Sequence, residues 1–166
     1  MTVPGERTVP CAGVTRVSVL PSHRRQGVLT LMMRDQLERA KAHGDVVAAL
    51  WASESIIYGR FGYGIAADGL ALSIERAHTQ FAFSPPINGR VCYTTPSDAR
   101  ESWPALYDAM RIRRPGWMTR SANWWNERVF SDRPENRGGA TEAQYVQYEV
   151  DGELQGYLRY RKKLEM

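Results

Sequence analysis

Apolar and polar positions divide the chain into two runs of elements separated by an aperiodic stretch. From Gly13 to Leu20 (GVTRVSVL) Val17 and Val19 share one face, which predicts a strand that Pro21 ends. After Ser-His-Arg-Arg-Gln, Leu29, Met32, Met33, Leu37 and Ala40 recur at helical spacing from Gly27 onward. Gly44 stands just past the last periodic position, where a left-handed residue closes a helix. Val46 to Ala52 (VVAALWA) is a continuous apolar run of strand length, the pattern of a strand buried on both faces. A short helix is expected from Ser53 to Arg60, broken by Gly62 and Gly64, and Gly69 to Glu75 alternates like a further strand. Strand, helix and apolar strand in this order imply a parallel pair with a crossover helix.

Residues 78–89 (HTQFAFSPPING) have two prolines, a glycine and no periodicity, and mark a boundary. Beyond it, Val91 to Thr94 predicts a short strand. Ser97 or Asp98 can cap a helix running to Arg113, with Trp103, Leu106, Tyr107 and Met110 on one face. Pro115-Gly116 ends it, and Ser121 can cap a second helix holding Trp124, Trp125 and Val129. Ser131 to Gly139 reads as a polar loop. Tyr145 to Val150 alternates, Asp151-Gly152 is a hairpin turn, and Leu154 to Tyr160 returns.

Composition narrows the class. The 166 residues suit one domain or parts of two small ones. There is no apolar run of 18 or more, so no membrane span is expected, and the N-terminus lacks the apolar region of a signal peptide. Cys11 and Cys92 cannot form a disulfide framework and are expected to be reduced, in a cytoplasmic protein. The net charge of +4 is split evenly between residues 1–89 and 90–166, with no basic block, which argues against a nucleic-acid arm. The tryptophans at 103, 117, 124 and 125 read as core and interface positions rather than an RNA-stacking platform. His23, His43 and His78 are too dispersed, and Cys-x-x-Cys is absent, so no metal is expected.

The chemistry-bearing segment is Arg24-Arg25-Gln26-Gly27-Val28-Leu29, between a strand and a helix. A helix N-terminus offers free amides and partial positive charge; Gly27 permits close approach of backbone, and two arginines add charge. These residues alone fit a pyrophosphate cradle or an ordinary strand-to-helix turn with two solvated arginines. Tyr58, in Ile57-Tyr58-Gly59-Arg60-Phe61-Gly62-Tyr63, fits a proton donor or a core aromatic. Gly59, Gly62 and Gly64 are turn residues: no strand directly precedes them, as a dinucleotide fingerprint requires.

Taken together, the two segments resemble motifs A and B of the GNAT acetyltransferases. In closer detail VSVLPSHRRQGVLT and ASESIIYGRFGYG resemble the Eis (enhanced intracellular survival) branch. The resemblance covers most of residues 1–76. It implies an α/β (α+β) acyl-CoA N-acyltransferase fold, a mixed sheet flanked by helices. Residues 1–77 would be the C-terminal half of a first GNAT domain, 78–89 a linker, and 90–166 the N-terminal half of a second GNAT-like domain.

The resemblance implies an N-acetyltransferase that moves acetyl from acetyl-CoA to a primary amine, aminoglycoside or lysine, by direct attack. The pantetheine arm would pair with the backbone of Val17, Ser18 and Val19. Arg24, Arg25, Gln26, Gly27, Val28 and Leu29 would hold the pyrophosphate; Leu29 stands where the wider family has Gly or Ala. Ser53 and Glu54 would lie near the thioester, and Tyr58 would protonate the departing thiolate. His23 has no place in that pattern. A homo-oligomer is also implied, with no membrane, metal or nucleic-acid partner. The family's early strands and helices are missing before Gly13. The Eis branch also ends in a further domain whose terminal carboxylate is held to act as base, whereas here the chain closes at Leu164-Glu165-Met166. The chain therefore reads as a fragment, and the alternative function is a non-catalytic GNAT-like remnant that binds CoA or a protein partner. Because the two halves come in swapped order, the hairpin at 145–161 is expected to pair with the strand at 13–20, within one chain or between two. The other arrangement keeps the halves side by side with open sheets.

Overall fold

The computed structural model describes residues 1–84 and 86–163. Pro85, in the expected linker, and residues 164–166 lie outside the described residues. The chain divides into two compact units, Met1–Leu70 with Ile112–Met118, and Ala71–Arg111 with Thr119–Met166.

The first unit opens with a small antiparallel hairpin that the sequence pattern did not announce, β1 (Thr2–Val3) and β2 (Arg7–Thr8). Gly5 and Glu6 turn it, both with positive φ. Thr2 is fully buried and bonded on both sides to the 112–118 segment: its N–H donates to Trp117 O, and its carbonyl accepts from Gly116 N–H. The centre of the unit is a parallel pair, β3 (Cys11–Val14) and β4 (Val47–Leu50), joined through helix α1 (Val28–His43). The register sets Cys11 against Val47 and Val14 against Leu50. Val14 and Met33 are buried between strand and helix. Gly44 closes α1 in the left-handed conformation (φ 89°), its N–H shared between Ala40 O and Lys41 O.

Several expectations are corrected here. The strand expected over Gly13–Leu20 is shifted to Cys11–Val14. Arg16 takes a left-handed conformation (φ 56°), which no ladder accommodates, so residues 15–20 run on unpaired. The strand expected over Val46–Ala52 is shorter, Val47–Leu50, and only half-buried rather than covered on both faces. In place of a helix over Ser53–Arg60 stand two 3₁₀ turns, Ser55–Ile57 and Gly59–Phe61. Residues 69–75 form no ladder, and Leu70, Leu72 and Ile74 are exposed. An alternating strand needs a neighbour for its backbone groups, and this segment has none among the described residues.

In the second unit an antiparallel sheet runs in the order β5 (Arg90–Tyr93), β6 (Gln144–Val150), β7 (Glu153–Tyr160). The β6–β7 turn is the expected one: Asp151 and Gly152 both have positive φ, the mirror-image turn that matches strand twist. Helix α2 (Pro96–Arg111) starts two or three residues earlier than expected. Thr95 Oγ1 caps it by accepting from Asp98 N–H, so Ser97 and Asp98 lie inside the first turn. Ser121 does cap the next helix, α3 (Ala122–Trp124), which continues as a wider π turn over Trp125–Val129. The core is aromatic. Trp103 is fully buried and stacks on Tyr157 at 4.4 Å, with Tyr145 and Phe130 around it; Trp125 meets Tyr107 edge-on at 5.6 Å. The adjacent tryptophans split as helix geometry demands, Trp125 inward and Trp124 half-exposed.

The ladders bear on the swapped-order pairing within one chain, and not on its two-chain form. β3 pairs with β4, and β6 and β7 with β5 and each other; the ladder expected between residues 13–20 and 145–161 is not formed. No helix among the described residues is long and apolar enough to cross a membrane.

Candidate functional site

The chain leaving β3 passes Val17, Ser18 and Val19 outside any ladder, then makes a 3₁₀ turn over Pro21–His23. His23 N–H donates to Leu20 O at 2.9 Å, and Gln26 Nε2 donates back to Ser22 O at 3.1 Å, so the loop is stitched to itself. Two left-handed residues, Arg25 (φ 61°) and Gly27 (φ 80°), swing the backbone into α1. The first helical hydrogen bond is Leu31 N–H to Gly27 O. No side chain caps this helix end and no acidic residue sits in its first turn. The amides of Val28, Leu29 and Thr30 therefore lie at an end of positive potential that no capping side chain or first-turn carboxylate offsets. No atom lies within 4 Å of where a Gly27 Cβ would be, and Arg24 and Arg25 are both exposed. Arg24 Nε donates to Val19 O at 3.4 Å, which ties it to the outgoing chain. Where the chain leaves β3 it borders a cavity of about 290 Å³ against α1, lined by Val14, Arg16, Val17, Met32, Met33 and Gln36. The His23 ring shares a hydrogen bond with its neighbour Ser22 (2.9 Å).

A second cluster follows β4. Ser53 and Glu54 are exposed, three and four residues beyond the strand. Tyr58 is half-buried between the two 3₁₀ turns, and its carbonyl accepts from both Phe61 N–H (2.9 Å) and Tyr63 N–H (3.3 Å). The Tyr63 ring stands edge-on to Tyr58, centroids 6.0 Å apart at 73°. The Tyr63 hydroxyl is buried without a hydrogen-bond partner. Burial, then the neighbouring Cys11 and Tyr58, push its phenol above the usual tyrosine range. Arg24–Leu29 thus form one group, and Tyr58 joins Tyr63 near Cys11 in another. Among the described residues no hydrogen bond or ring contact links them. Tyr63 is the residue whose part sequence reasoning missed; its position five residues after Tyr58 was the available signal.

Comparison with known proteins bears on what this arrangement is. Residues 1–66 match the family model described as an acetyltransferase (GNAT) domain. A Streptomyces avermitilis protein named an uncharacterized N-acetyltransferase is 42% identical over 165 residues, 98% of this chain. Residues 1–66 belong to the GNAT acetyltransferase family. The N-acetyltransferase Eis of Mycobacterium tuberculosis is 39% identical over 131 residues, 76% of this chain and 33% of that protein. The crystal structure of Eis1 from Mycobacterium abscessus superposes with a TM-score of 0.61 at 30% identity, over 96% of this chain and 38% of that one. The chain spans about 40% of the length of the Streptomyces relatives it matches.

The α/β arrangement seen here is thus GNAT architecture, and GNAT acetyltransferases use acetyl-CoA. The open end of α1 fits such a substrate: uncapped amides, a glycine with free space above it, and two exposed guanidiniums suit a pyrophosphate. Among the described residues no group of three or more His, Cys, Asp or Glu side chains is placed to hold a metal.

Proposed function

We propose that this chain is the acetyl-CoA-binding part of an Eis-branch N-acetyltransferase that acts on a primary amine of the aminoglycoside or lysine type. The observation that carries the reading is the uncapped N-terminus of α1, with Gly27 left-handed and Arg24 and Arg25 beside it. In this reading Arg24–Leu29 hold the pyrophosphate. The backbone of Val17, Ser18 and Val19, which joins no ladder, takes the pantetheine arm, and Ser53 and Glu54 border the thioester. Residues 1–77 and 90–166 are halves of successive GNAT domains joined by 78–89. The working assembly is a cytoplasmic homo-oligomer.

The chemistry assigned to Tyr58 balances as follows. The neutral amine attacks the acetyl carbonyl carbon; the C–N bond forms and the C–S bond breaks. The leaving thiolate takes the phenol proton of Tyr58, and the proton lost by the acetylated nitrogen restores the phenol. A second reading is a chain that binds CoA or a protein without turnover, and it is favoured by the exposure of Ser53 and Glu54. The deciding experiment is acetyl-CoA calorimetry on the 166-residue chain, set beside thiol release with an amine acceptor. Binding with thiol release that Tyr58→Phe cuts by about 10²–10⁴-fold, at unchanged affinity, supports the enzyme. Binding without thiol release supports the second reading, and absence of binding removes the enzyme and leaves the second reading only as a protein-binding chain.

A further inference from the structure

The Ser55–Tyr63 segment lacks a helix that could fix Tyr58 in place. Its two 3₁₀ turns are short, and Ser55 and Ile56 are exposed on one side of them. Turn hydrogen bonds hold the Tyr58 backbone to Ser55 and Phe61, and Tyr63 adds a backbone bond and a ring contact. The backbone closes on itself through Tyr63 N–H to Tyr58 O, and the ring of Tyr63 meets that of Tyr58 edge to face. An edge-to-face pair is directional, because the positive rim of one ring seeks the negative face of the other. Gly62, left-handed at φ 87°, makes the reversal that brings the two rings together. The Tyr63 hydroxyl contributes no hydrogen bond to this arrangement: it is buried and unpartnered, and only the ring is in use.

We propose that Tyr63 is the positioning residue for Tyr58, its ring set edge-on to hold the Tyr58 phenol in one orientation. The proposal rests on the reading of Tyr58 as the proton donor. It distinguishes two parts of Tyr63, a ring that is required and a hydroxyl that is dispensable. A general acid must sit within hydrogen-bond reach of the sulfur, and displacement of a reacting group by about 1 Å costs on the order of a hundredfold in rate.

The test uses the full chain with ring-labelled tyrosine and NMR, the Tyr58 signal being assigned by its loss in Tyr58→Phe. In the unsubstituted chain, cross-relaxation between the Tyr58 and Tyr63 ring protons is expected; its absence overturns the proposal without any variant. Tyr63→Phe should leave the Tyr58 ring signal in place, and Tyr63→Leu should displace it. Thiol release should follow the same split. The leucine variant should lose about tenfold to a hundredfold in kcat at unchanged KM for acetyl-CoA, and phenylalanine should restore it. A Tyr58 signal indifferent to Tyr63→Leu overturns the proposal. If the unsubstituted chain binds no acetyl-CoA, the functional reading falls, and the ring signals alone still decide whether Tyr63 holds Tyr58.

Discussion

Gly27 holds a position that a side-chain-bearing residue occupies only under strain. Its φ of 80° belongs to the left-handed region, and the space above it is open, so the cost of substitution is conformational rather than steric. Gly27→Ala should cost about 1–2 kcal/mol, and so lower Tm by roughly 2–8 °C in a thermal melt. It should also weaken acetyl-CoA, because the strain is relieved by turning the amides of the cradle. Arg24→Ala tests charge at the same place. A charge-assisted hydrogen bond contributes about 1.5–3 kcal/mol, and about 1.4 kcal/mol is tenfold, so affinity by calorimetry should drop at least tenfold. Unchanged affinity in both variants would remove the cradle from this end of the helix. The uncapped start of α1 at Gly27 was legible in the sequence because a helix end is a local device: adjacent residues build it. The Tyr58–Tyr63 pair was legible only in part. The spacing was visible, but a 3₁₀ turn in place of a helix decides which rings meet, and that depends on Gly62 being left-handed.

At the scale of elements, α1 and the β6–β7 hairpin were easier to read than β3 and β4. α1 begins and ends on glycines whose conformations are set locally, and both ends fell where expected. β3 did not, since a strand exists only where a partner's backbone meets it, and the partner β4 offers four residues. One connection the sequence described merely as polar is held by a dense electrostatic contact. Asp132, in the loop before β6, accepts from Ala143 N–H at 2.9 Å and from Arg161 at 2.6 and 3.0 Å, with Arg137 at 3.3 Å and Arg159 at 3.6 Å. The backbone hydrogen bond from Ala143 leads, and the surrounding guanidiniums add to it against the opposing effect of burial, to hold this carboxyl below the usual aspartate range. Its folded value therefore lies under its unfolded one. The stability it contributes is complete above the unfolded value of about 3.9 and is lost as pH falls through the folded value. Asp132→Asn should lower Tm at pH 7 by roughly 3–10 °C and should flatten the acid limb of a Tm-against-pH curve. An acid limb identical in the two proteins would mean that Asp132 is not the group that titrates with unfolding.

Across the whole molecule the notable feature is apolar surface. Trp51 is 92% exposed, Ile56 95%, Leu70 84% and Phe83 83%, and Leu72, Ile74, Phe81 and Ile87 are largely exposed as well. Single exposed apolar residues are ordinary, but a succession of them within one stretch of chain is not. The sequence could not show this. The alternation of residues 69–75 and the run at 46–52 are the marks of buried strands, and burial is a property of what lies alongside. In the 166-residue chain residues 69–75 lie open to solvent, and the 46–52 run is exposed at Val46, Val47 and Trp51 and half-buried elsewhere. The expected behaviour is concentration-dependent association with strong binding of a hydrophobic dye, measured by light scattering and by fluorescence. Leu72→Lys with Phe83→Lys should reduce both signals, because each places a charge in the middle of the apolar stretch. Neither residue belongs to the cradle or to the Tyr58 cluster, so acetyl-CoA affinity should be unchanged in the double variant. Scattering and dye binding that persist at the level of the unsubstituted chain would shift the cause to the apolar side chains of the first unit, Trp51 and Ile56, whose substitution by lysine would then be the informative one.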